Sequence, residues 1–442
     1  MQNNTISFRV QPGGTLRGEA RVPGDKSISH RSIMLGALAE GTTRVTGFLE
    51  AEDCLATMNA FRAMGVDIEG PQDGQVCIRG VGLHGLRAPK EPLYLGNSGT
   101  SMRLLCGLLA GQHFDSVLTG DVSLSRRPMK RVTEPLRTMG AVVETTEAGT
   151  APLKIRGSTK LRGIHYDMPV ASAQVKSCLL LAGLYAAGRT CVREPAPTRD
   201  HTERMLAGFS YPVVREGDTV CVQPDGRLVA CDIDVPGDIS SAAFFMVGAA
   251  IGEDADVTLR HVGVNPTRTG VLDILRLMGA DIQVVDVREM GGEPVADIRI
   301  RSSRLRGIEI PQELVPLAID EFPVLFVAAA CAEGETRLTG AEELRVKESD
   351  RIQVMADGLQ ALGIDAQPTP DGMIVRGGKL SGGKVNSHGD HRIAMAFSVA
   401  ALRAAGLIEI DDCANVNTSF PSFVELARDM GLNISVIFGE IL

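Results

Sequence analysis

Tryptophan is absent from the 442 residues, tyrosine occurs only 4 times, and aromatics make up 4% of the chain. Core filling therefore falls to Ala, Val, Leu, Ile and Met, which suits small repeated units with close helix–sheet packing. Positive charge is short as well: 45 Lys and Arg against 54 Asp and Glu leave a formal net charge of −9. Nucleic-acid binding rests on a broad basic field, so that class of partner is excluded. Long apolar runs are missing, since 178–187 and 322–332 are too short to span a bilayer. The opening MQNNTISFRVQPGG shows neither a charged-then-apolar signal pattern nor the Arg-rich character of a transit peptide. The nine cysteines (Cys54, Cys77, Cys106, Cys178, Cys191, Cys221, Cys231, Cys331, Cys413) contain no C-x-x-C pair. They read as separate reduced thiols rather than a disulfide framework or a zinc site. A soluble cytoplasmic chain is expected.

What is present is repetition. Val22-Pro23-Gly24-Asp25-Lys26-Ser27 returns in part as Val235-Pro236-Gly237-Asp238-Ile239-Ser240. Each copy reads as a strand end, a Pro-Gly turn and a capped helix start. Around them, six stretches of roughly 70 residues follow one order: helix, strand, helix, then further strands. The six start near Asp25, Gly96, Ser172, Asp238, Asp320 and Asp390. Most end their second helix in Leu-Gly or Met-Gly, as at Met64-Gly65, Met139-Gly140, Met278-Gly279, Leu362-Gly363 and Met430-Gly431. Glycine there predicts a left-handed helix cap. In the third stretch Gly208 is the candidate. The expected fold class is α/β, with two inverse lobes of three βαβαββ-type units each. The first lobe would span 22–235, and the second 1–21 with 236–442. Two short crossings would let the lobes close over a ligand.

Cations stand at helix starts, where the backbone is already positive. Lys26 and Arg31 do so in the first unit, Arg127, Arg199 and Arg268 in the next three, Lys347 and Arg351 in the fifth, and Arg392 in the sixth. Such repeated opposition to the helix dipole points to bound anions, phosphate or carboxylate. The plainer reading of Glu343 and Lys347 is an i,i+4 surface pair. Gly96-Asn97-Ser98-Gly99-Thr100 is a small-residue turn whose N–H groups could cradle an anion. Ser172 ahead of Ala173 and Gln174 reads as a helix cap, and so do Asp25, Asp238, Asp320 and Asp390. Gly24-Asp25-Lys26-Ser27 lacks the upstream glycine of a nucleotide loop, and no dinucleotide fingerprint is present. His388 and His391 have no third ligand nearby, so no metal is expected.

With these residues in hand, the chain resembles the 5-enolpyruvylshikimate-3-phosphate synthase family almost end to end. The motifs that carry the resemblance are PGDKSISHR (23–31), LGNSGTSMR (95–103), RRPMKR (126–131), SAQVKS (172–177), TRDHTE (198–203), NPTRTG (265–270), IDEFP (319–323), LRVKESDR (344–351) and DHRIAM (390–395). The resemblance implies transfer of the enolpyruvyl group of phosphoenolpyruvate to the 5-hydroxyl of shikimate 3-phosphate, with release of phosphate and no cofactor. It implies that Lys26, Ser27, Arg31, Ser172, Ala173, Gln174, Arg199, Asp320 and Lys347 hold shikimate 3-phosphate. Phosphoenolpyruvate would meet Lys26, Asn97, Gly99, Arg127, Gln174, Lys347, Arg351 and Arg392. Asp320 would take the proton of the attacking hydroxyl, and Glu348 with Lys26 would protonate the methylene. The implied inhibitor is glyphosate, and the implied state is a monomer.

Two departures stand out. Many members carry Lys in a Lys-Thr-Phe-Pro stretch, where this chain has Thr418-Ser419-Phe420-Pro421. The Ala-Ser-Ala-Gln and Arg-Asp-His-Thr-Glu forms resemble a glyphosate-tolerant subclass, whereas Gly99 stands where some tolerant members carry Ala. A related transferase acting on UDP-N-acetylglucosamine typically carries a cysteine ahead of its Arg-Pro motif, and 119–131 contains none. A non-catalytic anion-binding protein would be expected to lose Lys26, Asp320 or Glu348, and all three are present.

Overall fold

The computed structural model describes residues 5–157, 160–290 and 292–439. The chain divides into two compact units. One comprises 1–23, 236–289 and 294–442; the other comprises 24–235 with the short piece 290–293. Both long boundaries fall inside the two Val-Pro-Gly-Asp copies. Gly24 belongs to a close approach, because a Cβ there would lie 1.9 Å from the Gly47 carbonyl oxygen.

Six small sheets accompany twelve α-helices among the described residues, two helices to each sheet. The second sheet shows the plan. Leu93–Tyr94 runs parallel to Ser116–Thr119, and Leu153–Arg156 pairs antiparallel with both Ser116–Thr119 and Val142–Glu144. The helix Gly99–Ala110 joins the first two strands, and Lys130–Thr138 leads to the closing hairpin. The third sheet repeats this order with Ala173–Gly183 and His201–Gly208.

Three repeats borrow strands from elsewhere in the chain. Ile233–Asp234 serves as the opening strand of the first sheet, and Arg17–Ala20 opens the fourth. Thr5–Gly14 lies between Ile408–Asp411 and Leu432–Gly439 in the sixth. In the fifth, two isolated bridges, Arg306 to Glu333 and Glu309 to Arg337, take the place of an opening strand.

Helices that open repeats are buried nearly all round. Every residue of Ile239–Ile251 is buried, as are nine of the ten in Phe322–Cys331. A helix apolar on all faces belongs in a core. Second helices bury one face only; in Lys130–Thr138 that face is Val132, Thr133, Pro135 and Leu136. Each unit has its own hydrophobic core. Much of the scarce aromatic content is gathered in one of them, where Phe8, Phe244, Phe245 and Phe420 lie around Phe423 with centroids 5.5–6.4 Å apart.

Gly65, Gly140, Gly279, Gly363 and Gly431 all take positive φ after their helices. The third repeat departs from the expectation. Gly208 is its last helical residue, and Ser210 takes the left-handed position at φ 62°. The cysteines also need a correction. Cys191 and Cys221 sit directly opposite each other on antiparallel strands and form a disulfide. The other seven are thiols. Register, which spacing in the sequence does not reveal, brought the pair together.

Candidate active site

In the unit built from 24–235, three helix starts supply the expected anion-binding groups. Asp25 caps Lys26–Leu38 by accepting from the Ile28 N–H at 2.9 Å. Lys26 begins that helix, and its ammonium pairs with the buried Asp53 carboxylate. One turn on, Arg31 is buried and held by three acceptors. Its Nε donates to Thr202 Oγ1 at 2.7 Å, Nη1 to the Ser27 carbonyl at 3.0 Å and Nη2 to Ser177 Oγ at 3.0 Å. Burial lowers the Arg31 pKa to about 10, against the pull of Glu203 and Asp25, so the group stays charged at neutral pH.

Ser98 caps Gly99–Ala110, accepting from the Ser101 N–H at 3.1 Å. Next to it Asn97 donates to Asp121 Oδ2 at 2.8 Å and accepts from Arg127 Nη2 at 2.6 Å. The fixed Asn97 thus aims Arg127, which is buried, while Arg126, Lys130 and Arg131 of the same motif are exposed. Gly99 lies against two guanidinium groups, because a Cβ on it would stand 2.9 Å from Arg127 Nη1 and 3.0 Å from Arg103 Nη1. Arg103 donates to Gln174 Oε1 at 2.6 Å, and Gln174 donates to Thr100 Oγ1 at 3.0 Å. Ser172 caps the helix that carries Ala173 and Gln174. Arg199, half-buried ahead of His201–Gly208, is near enough to Arg31 for their charges to interact.

A buried histidine links these starts. His30 Nδ1 is 2.9 Å from Thr57 Oγ1 and 3.3 Å from Ser101 Oγ, and Nε2 is 3.5 Å from Ser98 Oγ. Burial first, then the charges of Lys26 and Arg31, push its pKa well below the ordinary value, so the ring is neutral.

The other unit gathers Asp320, Lys347, Glu348, Arg351 and Arg392. Arg351 is their hub and is 1% exposed. It donates from Nε to Asp390 Oδ2 at 2.8 Å, from Nη2 to Glu348 Oε2 at 2.7 Å and from Nη1 to Asp320 Oδ1 at 3.2 Å. Burial opposes its charge, yet Asp390, Glu348 and Asp320 together hold its pKa above the usual arginine value. Lys347 Nζ lies 3.0 Å from Glu343 Oε1 and 3.6 Å from Asp320 Oδ1. Arg392 Nη1 donates to the Asp320 carbonyl at 3.2 Å.

Two expectations change here. Asp25, Asp238 and Asp390 do cap helices, but Asp320 does not. The residue flanking that helix is Glu321, and no side chain caps it. The Asp320 carboxylate instead faces Lys347 and Arg351. Arg268, grouped with the anion-binding cations, is 2% exposed and donates to Asp238 Oδ1 at 3.0 Å and Ser240 Oγ at 2.8 Å. Its charge is satisfied internally. Asp53, Arg103, Asp121 and Asp390 were missed as partners. An acidic first turn in Glu52–Ala63 marks Asp53, and Arg103 closes the quoted LGNSGTSMR. Nothing local marks Asp121 as the acceptor of Asn97 or Asp390 as the acceptor of Arg351. Among the described residues no group of three or more His, Cys, Asp or Glu could hold a metal ion.

Known proteins similar to this chain point to one family. The 3-phosphoshikimate 1-carboxyvinyltransferase of Methylococcus capsulatus is 72% identical over 436 residues, 99% of this chain and 100% of that one. The solved EPSP synthase of Acinetobacter baumannii superposes with a TM-score of 0.88 at 62% identity, covering 98% of this chain and 100% of that chain. The enolpyruvyl transferase NikO from Streptomyces tendae shares the fold alone, with a TM-score of 0.79 at 17% identity over 99% of this chain and 100% of its own. Residues 10–426 match the family described as EPSP synthase (3-phosphoshikimate 1-carboxyvinyltransferase), and the chain belongs to that family.

Proposed function

We infer that this chain carries out its family's reaction: the enolpyruvyl group of phosphoenolpyruvate passes to the 5-hydroxyl of shikimate 3-phosphate, and phosphate is released, on the route to chorismate and the aromatic amino acids. Lys26, Ser27, Arg31, Ser172, Ala173, Gln174 and Arg199 hold shikimate 3-phosphate, with Asp320 and Lys347 at its reacting end. Asn97, Gly99, Arg127, Gln174, Arg351 and Arg392, with Lys26 and Lys347, hold phosphoenolpyruvate. Two phosphates and two carboxylates need this many cations before they can approach each other.

The observation that carries the reading is Asp320. Its carboxylate caps no helix and lies beside Lys347 and Arg351. In this reading it accepts the hydroxyl proton as the oxygen bonds to C2, while Glu348, with Lys26, delivers a proton to the methylene carbon. The same carbon gives a proton back as the C2–O bond to phosphate breaks. Positive charge develops at C2, which the carboxylates offset, while Arg and Lys side chains stabilise the departing phosphate. Aligning two small substrates can lower the barrier by about 7–11 kcal/mol, so no cofactor is needed.

No helix among the described residues is long and apolar enough to cross a membrane. A cytoplasmic monomer inhibited by glyphosate at the phosphoenolpyruvate site is part of the same reading. Phosphate release on mixing protein with phosphoenolpyruvate and shikimate 3-phosphate tests it. Release with UDP-N-acetylglucosamine instead would reassign the acceptor, and silence with both would leave an anion-binding protein.

A further inference from the structure

Lys176 is fully buried in the helix Ala173–Gly183. Its ammonium lies 2.8 Å from Glu194 Oε1 and 2.7 Å from Glu203 Oε1, both buried. A buried ammonium is costly unless paired, and so are two buried carboxylates without a cation. This trio therefore fixes three segments of the unit relative to one another.

What it fixes bears on the substrate. Lys176 and Glu203 are chain neighbours of Ser177 and Thr202, whose hydroxyls are 2.7 Å apart and both accept from Arg31. Two successive cross-links, one ionic and one between hydroxyls, thus join Ala173–Gly183 to His201–Gly208 directly behind Arg31. The second carboxylate reaches the other cation: the Thr198 hydroxyl donates to Glu194, and Arg199 follows Thr198. From the exposed side Arg215 Nη2 donates to the remaining Glu194 oxygen at 2.8 Å. Lys176 thus stands against Glu194 and Glu203, and Arg31 against Glu203, before any phosphate arrives.

We propose that Lys176 is the positioning residue of the shikimate 3-phosphate site, holding Arg31 through Glu203 and Arg199 through Glu194. It touches no substrate. The inference rests on the assignment of Arg31 and Arg199 to that phosphate. Removing the ammonium leaves two buried carboxylates to repel each other and releases both cations from behind, while the Asn97–Arg127 side of the site keeps its own supports.

The test is steady-state kinetics on the full chain with each substrate varied in turn. In Lys176→Met, the KM for shikimate 3-phosphate is expected to rise by about tenfold, the worth of one charge-assisted contact. The KM for phosphoenolpyruvate is expected to stay within about twofold. Thr198→Val, which cuts only the link from Glu194 to the Arg199 segment, is expected to shift the same constant in the same direction. It decides the matter if Lys176→Met does not fold. Equal rises in both KM values, or a loss of kcat with both KM values unchanged, would overturn the inference, since a merely structural lysine gives no substrate bias. A wild-type protein that released no phosphate would instead overturn the reading of the reaction.

Discussion

Asp320 Oδ1 stands 3.6 Å from Lys347 Nζ and accepts from Arg351, although its place ahead of an apolar helix is that of a cap. The carboxylate supports no helix end, so its loss should leave the fold intact. Asp320→Asn is expected to lower kcat on the order of 10²–10⁴-fold, the contribution of a placed base. Its melting temperature is expected to stay within about 3 °C, equivalent to about 1 kcal/mol. Asp390→Ala is the contrasting variant. It removes a helix cap and the fully buried partner of Arg351, a change worth about 3–5 kcal/mol of stability. Chemical denaturation of the pair checks both. Equal destabilisation would mean Asp320 is structural after all.

Gly99 leaves no room for a methyl group beside Arg127. A Cβ at 2.9 Å from Nη1 can be accommodated only if the guanidinium shifts, and Asn97 resists that shift with its 2.6 Å hydrogen bond. Gly99→Ala is expected to weaken phosphoenolpyruvate by about 1 kcal/mol, roughly fivefold in KM. Glyphosate, the longer ligand, should lose more. Inhibition constants measured with phosphoenolpyruvate as the varied substrate check this, and equal losses for both ligands would refute it.

His30 makes stability depend on pH. Its folded pKa lies well below the ordinary 6.5 because it is buried and faces Lys26 and Arg31, with the hydroxyls of Thr57, Ser98 and Ser101 as partners. The unfolded chain therefore binds a proton that the folded chain refuses. Stability from this group is complete above about pH 6.5 and falls as pH drops towards the folded pKa, by up to about 1.4 kcal/mol per pH unit. Urea midpoints between pH 7.5 and 5 should fall in the wild type. In His30→Asn the slope should be shallower by one proton.

Much of the fold was legible because the repeat leaves local marks: a capped start, an apolar helix, and glycine where the chain must turn left-handed. The borrowed strands were less so, since Phe8 pairs with Ile410 and no local pattern encodes a partner 400 residues away. The same limit governed the site. Cations at helix starts were visible one by one, but Arg127 and Arg268 look alike in sequence. What separates them is whether the facing group is the neutral Asn97 or the charged Asp238, and both come from other elements. Lys176 was hidden in a helix that otherwise reads as apolar core, because both of its carboxylates come from beyond the helix, at Glu194 and Glu203.

The cysteines offer the last check, one that spacing alone led away from. Cys191 and Cys221 are cross-strand partners in the strand pair that also carries Val192–Val220, and their disulfide closes a loop of sequence separation 30. Cross-linking of this kind stabilises chiefly by restricting the unfolded chain, by about 3.6 kcal/mol for a loop of this length. Protein denatured without reductant should therefore titrate seven thiols, and nine after reduction. The reduced form should melt lower than the oxidised one, and Cys221→Ser should melt at the reduced temperature whether or not reductant is present. Nine thiols before reduction would show that the two side chains lie opposite each other without a bond, as a reducing compartment would favour.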